Sequence, residues 1–113
     1  MKRDDDLIRD LLIEMETSEE WLFVVDCDEG DQKREYHLKL LGDVGLILFE
    51  GYSYRMTALG HDYLAAIRDE GLWQKTKDTV SETGGNATLE IVKALAIGFL
   101  KKKIAQHTDI DLG

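Results

Sequence analysis

Residues 35–57 constrain the fold of this chain more than any other part of its sequence. Apolar residues at helical spacing end at Gly45, and a hydrophobic run typical of a strand follows over residues 46–49. Residues 50–52 contain Gly51 and predict a turn, after which residues 53–56 return as a second strand. This segment therefore predicts a helix that leads directly into a two-stranded ribbon.

The elements around this segment define the fold class. An amphipathic helix is predicted over residues 4–16 and a short strand over residues 21–25. Helices are predicted after the cap residue Thr57, from Gly71, and from residue 89 to residue 104. We therefore predict an α+β fold with one domain over residues 1–113. It would have a winged helix-turn-helix core over residues 1–68 and C-terminal helices over residues 69–113.

The helix before the ribbon has two predicted faces. With Leu40 as the inward reference at about 100° per residue, His37, Leu41 and Val44 fall on the buried side. The outward side is predicted to present Glu35, Leu38, Lys39 and Gly42.

Charge is distributed unevenly along the 113 residues, whose net charge is −9. Residues 1–31 carry a net charge of −9, residues 32–57 of +1, and residues 58–113 of −1. The helix and ribbon are thus the one segment that is not acidic, although they do not form a basic patch. The single cysteine, Cys27, excludes an internal disulfide and predicts a cytoplasmic protein, and we expect no membrane-spanning segment.

Several motifs resemble those of a known family. They are MKRDxDLIR at residues 1–9, YHLKLL at 36–41 with GLI at 45–47, MTAxGHDYL at 56–64 with AIR at 66–68, and Trp73. With them the chain resembles a family of small bacterial and prophage proteins without an assigned function. The resemblance implies a winged-helix fold and a phage or mobile-element setting, and it implies no catalytic residues. Residues 21–31 depart from a standard helix-turn-helix, because they leave little room for its second helix.

Catalytic and metal-binding chemistry is not predicted. His37 is expected to be a satisfied core group, and acidic neighbours would raise the pKa of the Cys27 thiol rather than activate it. The acidic turn over residues 26–31 lacks the carboxylate spacing of a calcium loop. The twelfth position counted from Asp26, where such a loop has a glutamate, is His37. We expect no enzyme activity, no cofactor, no metal and no small-molecule substrate.

DNA-linked transcriptional regulation of the phage or prophage type is the first functional prediction. In a winged helix the second helix of the motif enters the major groove, and the ribbon contacts the backbone or the minor groove. Lys33, Arg34 and Lys39 would contact phosphates, and Arg55 would add a contact from the ribbon. Tyr52 and Tyr54 would pack along the sugar edge.

The alternative is an acidic protein-binding modulator, such as an inhibitor of a basic host complex that binds nucleic acid. Leu38 and the two ribbon tyrosines would then be partner anchors. The position of the acids of residues 4–31 distinguishes the two functions. If these acids share a face with the four cations, DNA binding is ruled out. A homodimer through the C-terminal helix is also expected, because that helix is apolar nearly all round.

Overall fold

Helix α1 (Asp5–Thr17) lies in the first of two compact units into which the chain divides. The computed structural model describes residues 1–24 and 31–108, and the units are Met1–Leu64 and Ala65–Gly113. The carboxylate of Asp4 caps α1 by accepting a hydrogen bond from the backbone N–H of Leu7 at 3.1 Å. One stripe of the helix is buried, and it consists of Ile8, Leu11, Leu12 and Met15. The helix predicted over residues 4–16 is confirmed.

Strand β1 (Phe23–Val24) and helix α2 (Gln32–Asp43) follow. The predicted strand over residues 21–25 is confirmed only at its centre, and residue 25 lies outside the described residues. Cys27 and the predicted acidic turn, except Asp31, also lie outside them. The Asp31 carboxylate caps α2 by accepting from the N–H of Arg34 at 3.1 Å. After α2, Gly45 has φ +78°, a left-handed conformation that glycine adopts at little cost.

Two further strands complete an antiparallel sheet. Strands β2 (Ile47–Glu50) and β3 (Ser53–Met56) form the predicted ribbon, with Gly51 at φ +71° in the turn. The strand order is β1-β3-β2, so the central strand is β3. Its Tyr54 lies opposite Phe23 of β1 and Phe49 of β2.

Helix α3 (Ala58–Ile67) begins directly after the ribbon. The Thr57 hydroxyl accepts a hydrogen bond from the N–H of Gly60 at 3.1 Å, which confirms Thr57 as a cap. Tyr63 and Leu64 are fully buried. They belong to the first unit, whose other fully buried apolar residues include Ile8, Leu11, Leu12 and Leu41.

Two helices follow in the second unit. Helix α4 (Glu70–Glu82) is capped by Asp69, which accepts from the N–H of Leu72 at 3.0 Å. Helix α5 (Leu89–Thr108) is preceded by Thr88, whose hydroxyl accepts a hydrogen bond from the N–H of Ile91 at 3.2 Å and so caps the helix. Lys103 of α5 forms an ion pair with Asp69 at 2.9 Å. The predicted dimer through this helix stays a prediction.

The described residues thus form an α+β structure, as predicted. None of their helices has the length and apolar character needed to cross a bilayer. In the same residues, histidine, cysteine and carboxylate side chains form no cluster of three or more that could hold a metal ion.

Candidate binding surface

The first turn of α2 places Lys33 against the residue that caps α1 and Arg34 against a carboxylate within α1. The Lys33 ammonium lies 3.0 Å from the carboxylate of Asp4. The Arg34 guanidinium donates two hydrogen bonds to the two carboxylate oxygens of Glu14, at 2.8 and 2.9 Å. This pairing raises the pKa of Arg34. Two of the four cations predicted to contact a partner are therefore neutralised by acids from residues 4–31.

Arg55 is paired in the same way within the ribbon. Its Nε lies 2.9 Å from the carboxylate of Glu50, which is on the neighbouring strand. Both side chains are more than a third exposed, so the ion pair faces solvent. The ribbon therefore presents a neutral pair rather than a positive charge beside its turn.

An aromatic row crosses the sheet beneath α2. The ring of Tyr54 lies between those of Phe23 and Phe49, with centroid distances of 5.3 and 5.6 Å. Two cations of α2 cover the ends of the row. The Arg34 guanidinium lies 5.7 Å from the Phe23 ring centroid, and the Lys39 ammonium lies 4.5 Å from that of Phe49. Cation–aromatic contacts thus hold α2 on the sheet.

Phe49 also packs closely on α2 through a glycine. A Cβ atom built on Gly42 would lie 2.8 Å from the Phe49 ring, so the absence of a side chain there lets the ring approach the helix. Phe49 and its neighbour Leu48 nevertheless remain more than a third exposed. Strand β2 therefore combines an edge position with two partly exposed apolar side chains.

Two of the predicted anchors are buried. Leu38 is 3% exposed and Tyr54 is 0% exposed, so the prediction that they face outward is wrong. Leu38 is enclosed because α2 packs against both α1 and β2, which buries a wider arc of the helix than a single neighbour would. Burial also raises the pKa of Tyr54 to about 12. Tyr52, at the turn, is 95% exposed and is the ribbon tyrosine that remains available to a partner.

His37 is a core residue with both ring nitrogens in hydrogen bonds. Its Nε2 lies 2.8 Å from the backbone N of Asp4 and accepts that hydrogen bond. Nδ1 lies 2.7 Å from the carbonyl oxygen of Lys33, so this nitrogen must carry the proton. The side chain is completely buried. The prediction of a satisfied core histidine is confirmed, and the ring links the start of α1 to α2.

Sequence reasoning missed the residues that complete this surface. Asp4 and Glu14 lie 29 and 20 residues before the cations that they bind, and no local pattern connects them. Phe23 and Phe49 could have been placed on one face with Tyr54 from strand alternation and antiparallel pairing. The arrangement offers salt bridges and exposed aromatic side chains, which can take part in binding.

Comparisons with known proteins identify a family and a relative. Residues 2–86 match the model of a family described as hypothetical protein DUF2513. A relative from Haemophilus influenzae, strain Rd, described as an uncharacterized protein, is 30% identical over 118 residues. That match covers 93% of this chain and the whole of the relative. No solved structure matches the chain.

Proposed function

This chain belongs to the DUF2513 family of hypothetical proteins, and we propose that it is a winged-helix module that binds a basic protein partner. In this assignment α2 takes the place of the recognition helix, and β2 and β3 take that of the wing. The order of α1, β1, α2, β2 and β3 supports the assignment, although α2 is the one helix described between β1 and β2. The partner would be a protein that itself binds nucleic acid, such as a defence or transcription complex of a bacterial host.

The observation that carries this proposal is the pairing of Lys33 and Arg34 with Asp4 and Glu14. Nucleic-acid affinity depends on cations that neutralise phosphates and release counterions. Phosphates would have to displace carboxylates that already occupy these cations. The displaced carboxylates would then repel the phosphates at the same place.

Overall charge supports the same partner. The chain carries a net charge of −9, which attracts basic surfaces and repels polyanions over about a Debye length. The carboxylates of Asp4 and Glu14 lie on the same face as the cations Lys33 and Arg34, and such a shared face disfavours DNA. Inhibition of a basic complex would then follow from occupying its nucleic-acid-binding surface.

DNA-linked regulation has one observation in its favour. A helix that leads into an antiparallel ribbon is the arrangement that winged-helix proteins use to bind duplex DNA. This function stays a prediction, as do the phage or prophage setting and the cytoplasmic location. One experiment compares the two functions directly.

The experiment measures fluorescence anisotropy with two labelled probes, at about 50 mM and 200 mM salt. One probe is a mixed-sequence DNA duplex, and the other is a peptide in which arginine and serine alternate. We expect the peptide to bind with an affinity that falls as salt rises, and the duplex not to bind up to tens of micromolar protein. Duplex binding with a steep salt dependence, and no peptide binding, would overturn the proposal in favour of DNA.

A further inference from the structure

A groove lies at the carboxyl end of α1 in the first unit, with a volume of about 270 Å³. Part of its lining is apolar and comes from Met15, Trp21, Phe23 and Met56. All of its lining residues belong to the described part of Met1–Leu64. The ion-paired residues of the α1–α2 contact do not line the groove, and Arg34 adjoins it through the ring of Phe23.

Trp21 is the most unusual side chain of this groove. It is 70% exposed, whereas the other tryptophan of the chain, Trp73, is 3% exposed. Exposing an indole to water is unfavourable, and tryptophan is enriched among residues that dominate protein interfaces. An indole ring also binds lysine and arginine side chains over its face more strongly than the other aromatic rings do.

The charge of the groove specifies what the tryptophan would contact. Glu16, Glu19 and Glu20 contribute to the lining. Helix α1 has no basic residue in its last turn, so the partial negative charge of the helix end adds to these carboxylates. The cation of the lining, Arg55, is already paired with Glu50. A positively charged occupant is therefore favoured by the glutamates, the helix end and the indole together.

We infer that this groove binds a segment of the basic partner that carries a lysine or arginine side chain. The cation would lie over Trp21 and against Glu19 and Glu20, with the aliphatic stem of the side chain on the apolar lining. This inference rests on the proposed function and names the surface that performs it. The glutamates disfavour nucleic acid as the occupant, and a second copy of this chain is repelled overall because each copy carries a net charge of −9.

The test uses the full chain labelled with ¹⁵N and the peptide of alternating arginine and serine. The two tryptophans give two indole N–H signals, and the buried Trp73 serves as an internal reference. We expect the Trp21 indole signal to shift during the titration while the Trp73 signal stays in place. The Glu19→Gln/Glu20→Gln variant should bind the peptide about five- to tenfold more weakly, and Trp21→Ala should weaken it by a similar factor.

A matched variant controls for net charge. Asp43→Asn/Glu82→Gln changes the charge by the same amount at two exposed residues outside the groove lining. Its peptide affinity should stay within about twofold of that of the unmodified protein. The substituted residues are exposed, so the NMR spectrum of each variant should keep the dispersion of a folded chain.

The outcomes separate the two proposals. A Trp21 shift together with selective loss of affinity in the groove variants supports the inference. Peptide binding that leaves the Trp21 signal unchanged, with equal losses in both double variants, overturns the inference and leaves the proposed function intact. Absence of peptide binding to the unmodified protein overturns both.

Discussion

Arg34 of α2 donates hydrogen bonds from two guanidinium nitrogens to the two carboxylate oxygens of Glu14 in α1, at 2.8 and 2.9 Å. The planar guanidinium and the planar carboxylate match each other, which makes this a bidentate ion pair of defined geometry. The pair fixes α2 against α1 and removes a positive charge from the face where a DNA backbone would lie. Neutralising the Glu14 carboxylate therefore tests the function more directly than removing Arg34, because it frees the cation instead of deleting it.

Duplex DNA binding should appear or strengthen when the carboxylates are neutralised. In Asp4→Asn/Glu14→Gln, Lys33 and Arg34 lose their partners, and an asparagine at position 4 still caps α1. We expect duplex affinity to rise about three- to tenfold at ~50 mM salt, measured by anisotropy. The control Asp43→Asn/Glu82→Gln has the same net charge. An equal rise in the control would show that overall charge, and not the local pairing, governs the affinity.

The stability of the protein should depend on Asp4 in acid. The hydrogen bond from Lys33, with a second from the N–H of Leu7, lowers the pKa of Asp4 below its ordinary value of 3.8. Because the pKa of Asp4 is lower in the folded state, its carboxylate stabilises the fold at any pH above the ordinary pKa of an aspartate. This contribution is lost as the pH falls through the folded-state pKa of Asp4. Urea unfolding at a series of pH values should therefore show wild type more stable than Asp4→Asn at neutral pH. The two free energies of unfolding should converge below pH 3.8, and a constant difference down to the lowest pH would contradict the assignment.

His37 should stabilise the fold through the hydrogen bond that it accepts from Asp4. His37→Phe keeps a ring in the core but leaves the N–H of Asp4 without its acceptor. We expect the free energy of unfolding in urea to fall by about 1–3 kcal/mol. His37→Gln keeps an acceptor on a side chain of similar reach, so it should lose less. Faster hydrogen exchange at the Asp4 amide in the phenylalanine variant would identify this bond as the cause, and equal losses in both variants would contradict it.

Two helical glycines should respond in opposite directions to alanine. A Cβ atom at Gly60 would clash with the backbone carbonyl of Leu46 and with the side chain of Met56, so Gly60→Ala should destabilise by about 1–3 kcal/mol. At Gly98 in α5 a Cβ atom meets no atom within 4 Å. Gly98→Ala should therefore stabilise by up to about 1 kcal/mol through helix propensity. Thermal unfolding of the two variants checks the signs, and a destabilised Gly98→Ala would show that helix propensity does not decide the effect there.

Local chemistry made several elements predictable. The sequence predicts the end of α2 before Gly45 and the turn at Gly51, because glycine adopts positive φ at little cost. Both glycines have positive φ in the structure. Thr57 was predictable as a cap because its hydroxyl lies three residues before the N–H that it accepts. The fully buried His37 was also predictable, since the apolar period of α2 placed it on the inner side.

The sequence by itself therefore determined the helices and the ribbon, since these depend on residues close together in the chain. It also determined the excess of negative charge, which follows from composition. Only the tertiary structure decided that Leu38 is buried, because helical periodicity gives relative angles but not the number of neighbours around a helix. It likewise decided that Asp4 and Glu14 occupy Lys33 and Arg34, and that Trp21 borders an acidic groove. These relationships join residues from different elements, and packing between elements alone fixes which charges meet.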